Sequence, residues 1–290
     1  HETININIVI MKNLENGLYI ISTPIGNLRD LSVRAEEILN TVDLIICENP
    51  KHSLKLLNKL GIKKKLFSLH DYNEKKLIKR IEKYQSNSAI ALISDAGSPL
   101  ISDPGYNLVL NYIEKKIMIT TVPGPSSIIS ALQLSGLPIN KFKFFGFISK
   151  NKKSLDSLIN EIEFLNTTSV LFVSGNRLIN FLQQLLNKKI QKKISVCKEI
   201  TKKNERVFRG SLENIIESLS EDKKNIKGEF VVIIEGKENK AQKRLSHETE
   251  IQIRKLLIKF SLTEVVEIVH KLTSISKKEI YKTALLLKND

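Results

Sequence analysis

The stretch Ser94-Asp95-Ala96-Gly97-Ser98-Pro99, continuing through Leu100-Ile101-Ser102-Asp103-Pro104-Gly105, carries the residue types best suited to grip a small polar ligand. Asp95 is an acceptor for an amine or hydroxyl, Gly97 lets a ligand approach the backbone closely, and Pro99 stiffens the turn. The run Ala89-Ile90-Ala91-Leu92-Ile93 leads in and reads as a buried strand. A helix-start signal leads out, with Asp103 as cap and Pro104 in the first helical position. At the carboxyl end of a strand in an open parallel sheet, such a loop sits where ligands bind. The same residues equally suit an ordinary strand-to-helix turn whose Asp caps its own backbone.

Three more unusual turns follow strand-like runs: Ser22-Thr23-Pro24-Ile25-Gly26-Asn27, Glu48-Asn49-Pro50-Lys51-His52 and Pro123-Gly124-Pro125-Ser126-Ser127. Loops that end neighbouring strands line one sheet edge. Pro24, Ile25, Asp95, Gly97, Ser98, Ser126 and Ser127 are therefore expected to form one cleft. Glu48 and His52 are candidate proton acceptors, and Lys51 suits orienting a phosphate or stabilising developing negative charge. His52 equally suits capping the helix that follows. The turn after the first strand has one Gly where a dinucleotide fingerprint needs three, and no Gly-Lys-Ser/Thr occurs. There is no His-rich cluster, nucleophile elbow or Cys pair, so no metal site is expected and the ligand is read as neither NAD nor a nucleoside triphosphate.

The elements that must position these loops alternate. Strands are expected at Leu18 to Ile21, Leu44 to Cys47, Leu66 to Leu69, Ala89 to Ile93 and Ile117 to Val122. Between and after them come helices from Ser32 to Leu39, Ser53 to Leu60, Glu74 to Tyr84, from Tyr106, and from Ile128 to Leu134. That alternation predicts a parallel α/β sheet. From Lys143 the pattern is strand, helix (Ser154 to Leu165), strand (Val170 to Val173), helix (Leu178 to Leu186) and strand (Ile194 to Cys197). A strand at Glu205 to Arg209, a helix at Leu212 to Leu219 and a strand at Phe230 to Ile234 follow, which suggests a mixed sheet. The expected divisions are 17–130 for the first α/β domain, 131–236 for the second, and 244–290 for a helical extension. A polar linker spans Gly236 to Lys243. The extension reads as helices Glu250 to Phe260, Thr263 to Leu272 (capped by Thr263) and Lys277 to Leu287. Residues 1–16 read as an extension without fold, and Met11 as the natural start.

At 290 residues, with 41% hydrophobic and 27% charged residues, the chain has globular composition and room for substantial cores. No apolar run reaches the roughly 20 residues that span a bilayer. Cys47 and Cys197 both end strand-like runs and read as reduced core thiols, which fits a cytoplasmic setting. The net charge of +15 favours a polyanionic partner, although the basic residues fall in short scattered clusters and a general Lys bias would give the same total.

Thr23-Pro24-Ile25-Gly26-Asn27-Leu28, Ser94 to Pro99, Asp103-Pro104-Gly105 and Pro123 to Ser126 occur in one order. Together they resemble the tetrapyrrole methylase superfamily, and within it the ribosomal RNA small-subunit methyltransferases. The likeness runs from about Leu18 to the carboxyl terminus. It includes Leu69-His70-Asp71-Tyr72-Asn73-Glu74, Gly136-Leu137-Pro138, Lys198-Glu199-Ile200-Thr201-Lys202 and Lys227-Gly228-Glu229. The resemblance implies two α/β domains with an S-adenosylmethionine cleft between them, and a homodimer. It also implies methylation of a cytidine ribose 2′-hydroxyl in the decoding region of 16S rRNA, with the small ribosomal subunit as partner.

Two departures stand out. The family's Glu-Asp-Thr-Arg-His reads Glu48-Asn49-Pro50-Lys51-His52 here, and its Phe-Tyr-Glu-Ser-Pro-His-Arg corresponds to Leu171-Phe172-Val173-Ser174-Gly175-Asn176-Arg177. Lys51 keeps the charge of the family's Arg without its bidentate geometry. Asn49 and Val173 motivate one other reading, a catalytically weakened rRNA-binding or assembly protein; a methyltransferase of a macrocyclic small molecule is a further alternative, although the Gly-x-Gly-Pro-Gly-Asp first loop that would favour it is absent. In the extension, Lys277, Lys278 and Lys282 are the candidate RNA contacts, unless those helices serve packing alone.

Overall fold

The computed structural model describes residues 14–222, 224–236, 247–273 and 275–289. The expected start at Met11 and the linker beyond Gly236 lie outside the described residues. Five apolar runs become strands β1 (Gly17–Ile21), β2 (Leu44–Cys47), β3 (Lys65–Ser68), β4 (Ala89–Ile93) and β5 (Ile119–Val122). All pair in parallel, in the order β3-β2-β4-β1-β5. Alternate side chains of β4 serve opposite faces. Ala89, Ala91 and Ile93 join Tyr19, Ile45 and Leu57, while Ile90 and Leu92 join Phe67, Leu77, Leu108 and Tyr112. Burial on both faces is why the run shows no polar alternation. Each fully buried Ile or Leu contributes about 1.5–3 kcal/mol of transfer free energy.

Helices α1 (Val33–Thr41), α2 (Pro50–Lys59), α3 (Glu74–Gln85) and α4 (Tyr106–Glu114) connect these strands. One begins elsewhere than the sequence suggests, and another has a different cap. α2 starts at Pro50 rather than Ser53, because the Asn49 side chain accepts from the Lys51 amide and Pro50 fits the first turn. α4 starts at Tyr106, where the sequence places it, but is not capped by Asp103. Its cap is Gly105, at φ +129°, and a Cβ there would lie 2.8 Å from Leu100 Cδ2. Asp103 and Pro104 lie outside the helix, so neither has the capping role their sequence suggests.

The second half builds β6 (Phe142–Phe147), β7 (Thr168–Ser174), β8 (Ile194–Lys198), β9 (Arg206–Gly210) and β10 (Glu229–Ile234). They form a sheet in the order β6-β7-β10-β8-β9, mixed because only β6 and β7 run parallel. Helices α5 (Ser127–Ser135), α6 (Lys152–Phe164), α7 (Gly175–Asn187) and α8 (Leu212–Ser220) cover it. α6, α7 and α8 bury Ile159, Phe181 and Ile215 on one face. α5 packs Ile128, Ala131 and Leu132 on the other, against Val170, Cys197 and Val231, and Ile25 joins them. The chain thus crosses from the first sheet to the second through Pro123-Gly124-Pro125, and the expected division at 130/131 falls inside α5. Cys47 and Cys197 are both buried, and burial pushes the Cys197 thiol up to about 11. Lys192 and Lys198 are buried too, so the basic clusters are not all surface charge. The Lys192 ammonium donates to the Ile162 and Leu165 carbonyls at the end of α6, the favourable pole of a helix for a cation.

Residues Lys237–Asp290 form a separate unit. Its helices α9 (His247–Leu257), α10 (Leu262–Thr273) and α11 (Lys277–Asn289) enclose Ile253, Val265, Val269, Ile280 and Ala284 in a core of their own. Ser261 rather than Thr263 caps α10. Its hydroxyl and amide both donate to the Glu264 carboxylate, and the Glu264 amide returns a bond to the hydroxyl, a capping box.

Candidate functional site

The loops at the carboxyl edge of the parallel sheet are bound to one another. The Thr23 and Gly97 amides each donate to the other's carbonyl, at 2.9 and 3.0 Å. The Ser22 and Ser98 hydroxyls share a 3.0 Å hydrogen bond, and Ser98 also reaches the Pro125 carbonyl at 3.4 Å. The Asn49 amide donates to Asp95 Oδ1 at 3.3 Å. Gly97 sits at φ +80°, and a Cβ there would lie 3.3 Å from Ile25 Cγ2. Glycine is therefore required by the turn itself, whatever approaches it.

Ile25, Asp95, Gly97, Ser98, Ser126 and Ser127 line one cavity of about 450 Å³. Pro24 is half-buried and is not among the lining residues. Glu48 lies beside the cavity's acidic edge, while Lys51 and His52 are exposed in the first turn of α2 and line none of it. The opposite wall is Phe147, Phe172, Val173, Ile200, Lys202, Glu229 and Phe230: five of these stand in the motifs and the departure noted in the sequence, without a site role assigned, and Phe147 and Phe230 were missed. Ser102 and Asp103, within the ligand-loop stretch but read respectively without a role and as a helix cap, also line the cavity.

Acids crowd the first wall. Burial pushes the Glu48 carboxyl above its usual range, and the neighbouring charges of Asp95 and Asp71 push the same way. Burial raises Asp103 to about 6, with Glu48 and Asp95 adding to it and a hydrogen bond from Ser94 opposing it. Among the described residues, none of Glu48, Asp95 and Asp103 forms an ion pair. On the second wall, Lys202 Nζ lies 2.9 Å from both Glu199 Oε1 and Glu229 Oε2, and the Glu229 amide donates to Glu199 Oε1 at 2.9 Å. Burial alone would raise the Glu199 carboxyl, but that amide, Lys202 and Lys198 bring it below the usual range.

The second-half motifs meet because glycines let them. A Cβ on Gly228 would lie 2.7 Å from Glu199 Cδ, and one on Gly26 would lie 2.3 Å from Lys202 Cγ. Arg177 donates to the Ile148 and Ser149 carbonyls and so anchors the segment after β6, next to Phe147. Asn49 provides the cap that an Asp would provide. Val173 is buried in the cavity wall, an apolar side chain where the sequence resemblance implies a carboxylate. Among the described residues no group of three or more His, Cys, Asp or Glu is arranged to hold a metal ion, and no helix is long and apolar enough to cross a membrane.

Comparison with known proteins places this geometry. Residues 17–216 match the family described as Tetrapyrrole (Corrin/Porphyrin) Methylases. A Rickettsia prowazekii protein named ribosomal RNA small subunit methyltransferase I is 40% identical over 276 residues, covering 92% of this chain and 96% of that one. A protein of the same name from Vibrio cholerae is 34% identical over 279 residues, covering 94% and 97%. Two solved structures share the fold. Diphthine synthase has a TM-score of 0.58 at 14% identity, covering 81% of this chain and 92% of that one. Uroporphyrin-III-C-methyltransferase from Thermus thermophilus has a TM-score of 0.51 at 17% identity, covering 77% and 95%. This chain belongs to the tetrapyrrole methylase family, in the group whose members carry the name ribosomal RNA small subunit methyltransferase I.

Proposed function

We propose that this chain transfers a methyl group from S-adenosylmethionine to the ribose 2′-hydroxyl of a cytidine in the decoding region of 16S rRNA, acting on the small ribosomal subunit. The observation that carries the reading is the cavity. Its aromatic and aliphatic wall, formed by Ile25, Phe147, Phe172 and Ile200, faces hydroxyls and an acidic edge. A ligand with a flat heteroaromatic base, a sugar, an ammonium and a sulfonium needs that combination. The volume of about 450 Å³ lies in the range of small-molecule sites. Ile25, Asp95, Ser98, Ser126 and Ser127 would hold the donor. When bound, the donor supplies a methyl group on a positively charged sulfur, already activated for displacement.

The chain's own work is then positioning, exclusion of water and proton handling. A ribose hydroxyl is a weak acid and needs an acceptor during attack. Asp103, on the cavity wall with its carboxyl raised to about 6, suits that role near neutral pH, and Glu48 is its neighbour. Glu48, Lys51 and His52 complete the proposed rim, with Lys51 orienting the acceptor strand and His52 as an alternative proton acceptor. In the terminal unit, Lys278 and Lys282 are exposed one turn apart on α11 and suit phosphate contacts. Lys277 is engaged by Glu267.

Val173 supports a second reading, because a wall carboxylate is missing where the family has one: a protein that binds the subunit but methylates it poorly. One experiment separates the two. Small subunits lacking ribose modification are incubated with the protein and labelled methyl donor, and the modified nucleotide is mapped. Label on a single decoding-region ribose supports the enzyme. Tight subunit binding without label supports the assembly protein.

A further inference from the structure

Behind the second wall lies another cavity, of about 300 Å³, lined by Lys198, Arg206, Lys224 and Lys227 with Glu199 and Asp222. The Gly228 backbone borders both cavities. Lys198 is only 5% exposed, yet among the described residues its ammonium has one hydrogen-bond partner, the Lys224 carbonyl at 2.6 Å, and no ion pair. That ammonium acts on the Glu199 carboxylate only through space and keeps donors to spare for an anion that enters the cavity. The two acids on the lining are already engaged. Glu199 is held by Lys202 and the Glu229 amide, and Asp222 Oδ1 accepts from the Lys224 amide at 2.8 Å. Arg206 is bonded through one nitrogen to neutral Asn225 at 3.1 Å, which leaves most of its fork unused.

We infer that this pocket binds a backbone phosphate of the RNA strand whose target nucleotide enters the main cavity. The proposal rests on the RNA-methylating reading above. A guanidinium and a buried ammonium converging on one small polar cavity match a tetrahedral oxyanion. A phosphate held across Gly228 from the methyl-transfer cavity would fix the register of the strand without reading its sequence, as phosphate contacts do. The sequence alone hides the site. Lys198 and Lys227 stand in separate motifs with no ligand role assigned, and Arg206 falls in an expected strand.

The test starts from a measurement independent of methylation. Side-chain nitrogen NMR of the full-length protein is followed while inorganic phosphate, and then a short single-stranded oligoribonucleotide, is added. The expected result is a shift of the Lys198 and Arg206 resonances with both ligands, abolished in Arg206→Gln with Lys227→Gln. Both replaced residues are exposed, so the variant keeps the fold, and Lys198→Met serves as a second variant. The same double variant should raise KM for small subunits roughly tenfold, corresponding to one or two lost phosphate contacts, and leave donor affinity within twofold. Shifts with phosphate that the oligoribonucleotide neither reproduces nor displaces would assign the pocket to a small phosphorylated molecule and overturn the proposal. No shift with either ligand would overturn it as well. If phosphate and oligonucleotide both bind here but subunits are never methylated, the pocket stands and the methylation reading falls.

Discussion

The two walls of the main cavity handle carboxylates in opposite ways. On the parallel-sheet side, Glu48, Asp95 and Asp103 share a half-buried edge with no cation paired to them among the described residues, and Glu48 and Asp103 are raised. On the mixed-sheet side, Glu199 and Glu229 are bridged by Lys202, and Glu199 is lowered. The difference separates a wall whose Asp103 can change protonation near neutral pH from one whose Glu199 is held ionised by Lys202 and a backbone amide. On the function proposed above, proton handling is assigned to the first wall; the second is a strut that brings its motifs together across Gly26 and Gly228.

Removing the acid tests this most severely. Asp103→Ala should lower the single-turnover methylation rate on the order of 100- to 1,000-fold, the scale of a lost general base. Donor affinity by calorimetry should change by less than a few-fold. An unchanged rate would move proton acceptance off this wall.

A pH series sharpens the same contrast. Asp103 must be ionised to accept a proton, so kcat/KM should rise through about pH 6 and level off above it. Asp103→Asn should remove that inflection, while His52→Ala should leave it in place. Loss of the inflection in the His52 variant instead would restore the imidazole as the base. Stability runs the other way. Between an ordinary pKa of 3.8 and the folded value of about 6, the native state binds more protons than the unfolded one. Asp103 therefore favours folding at low pH, and that contribution fades as pH rises through the window. Urea midpoints of wild type and Asp103→Asn should converge near pH 4 and separate above pH 6, with the variant the more stable.

The parallel-sheet wall was legible in the sequence as a site, whereas the other showed only as motifs without an assigned role. Ala89 to Ile93 announces itself because burial on both faces leaves no polar alternation, and Thr23, Gly97 and Ser98 stand out as small residues at strand ends. Phe147 and Phe172 look like any core aromatic until β6 and β7 are paired, and their cavity role comes from tertiary contact alone. Asp103 was misread because Asp-Pro before an apolar run has the composition of a helix start. The backbone conformation at Gly105, which makes that glycine the cap of α4, leaves no separate mark in composition. At Asn49-Pro50 the helix-start composition was present, and the apolar periodicity of α2 drew attention three residues too far on.

On the strut side, Lys202→Met should destabilise the protein by about 1–2 kcal/mol. The bridge is only partly buried, so it is worth less than the cost of breaking a fully buried pair. It should leave the position of the pH inflection unchanged. A shifted inflection would mean that the two walls are electrostatically coupled across the cavity.

The smallest effect is expected at Asn49, where the first wall meets α2. Asn49→Asp restores the family residue, and both side chains cap a helix about equally well, so the melting temperature should hardly move. The added charge has two opposing neighbours. The amino end of α2 stabilises a carboxylate, whereas Glu48 flanks it directly and Asp95 accepts a bond from its own amide. A further negative charge beside those acids should push the rate inflection upward, by roughly a few tenths of a pH unit at such a solvent-exposed position. Pairing the change with Lys51→Arg adds a bidentate cation at the rim, and any gain should appear in turnover rather than donor affinity. We expect that gain to stay within about threefold, because a rim cation adds only a modest exposed charge pair. A tenfold gain would show that residues 49 and 51 act on the reaction itself, and the boundary drawn here between proton-handling wall and helix cap would have to move outward to include α2.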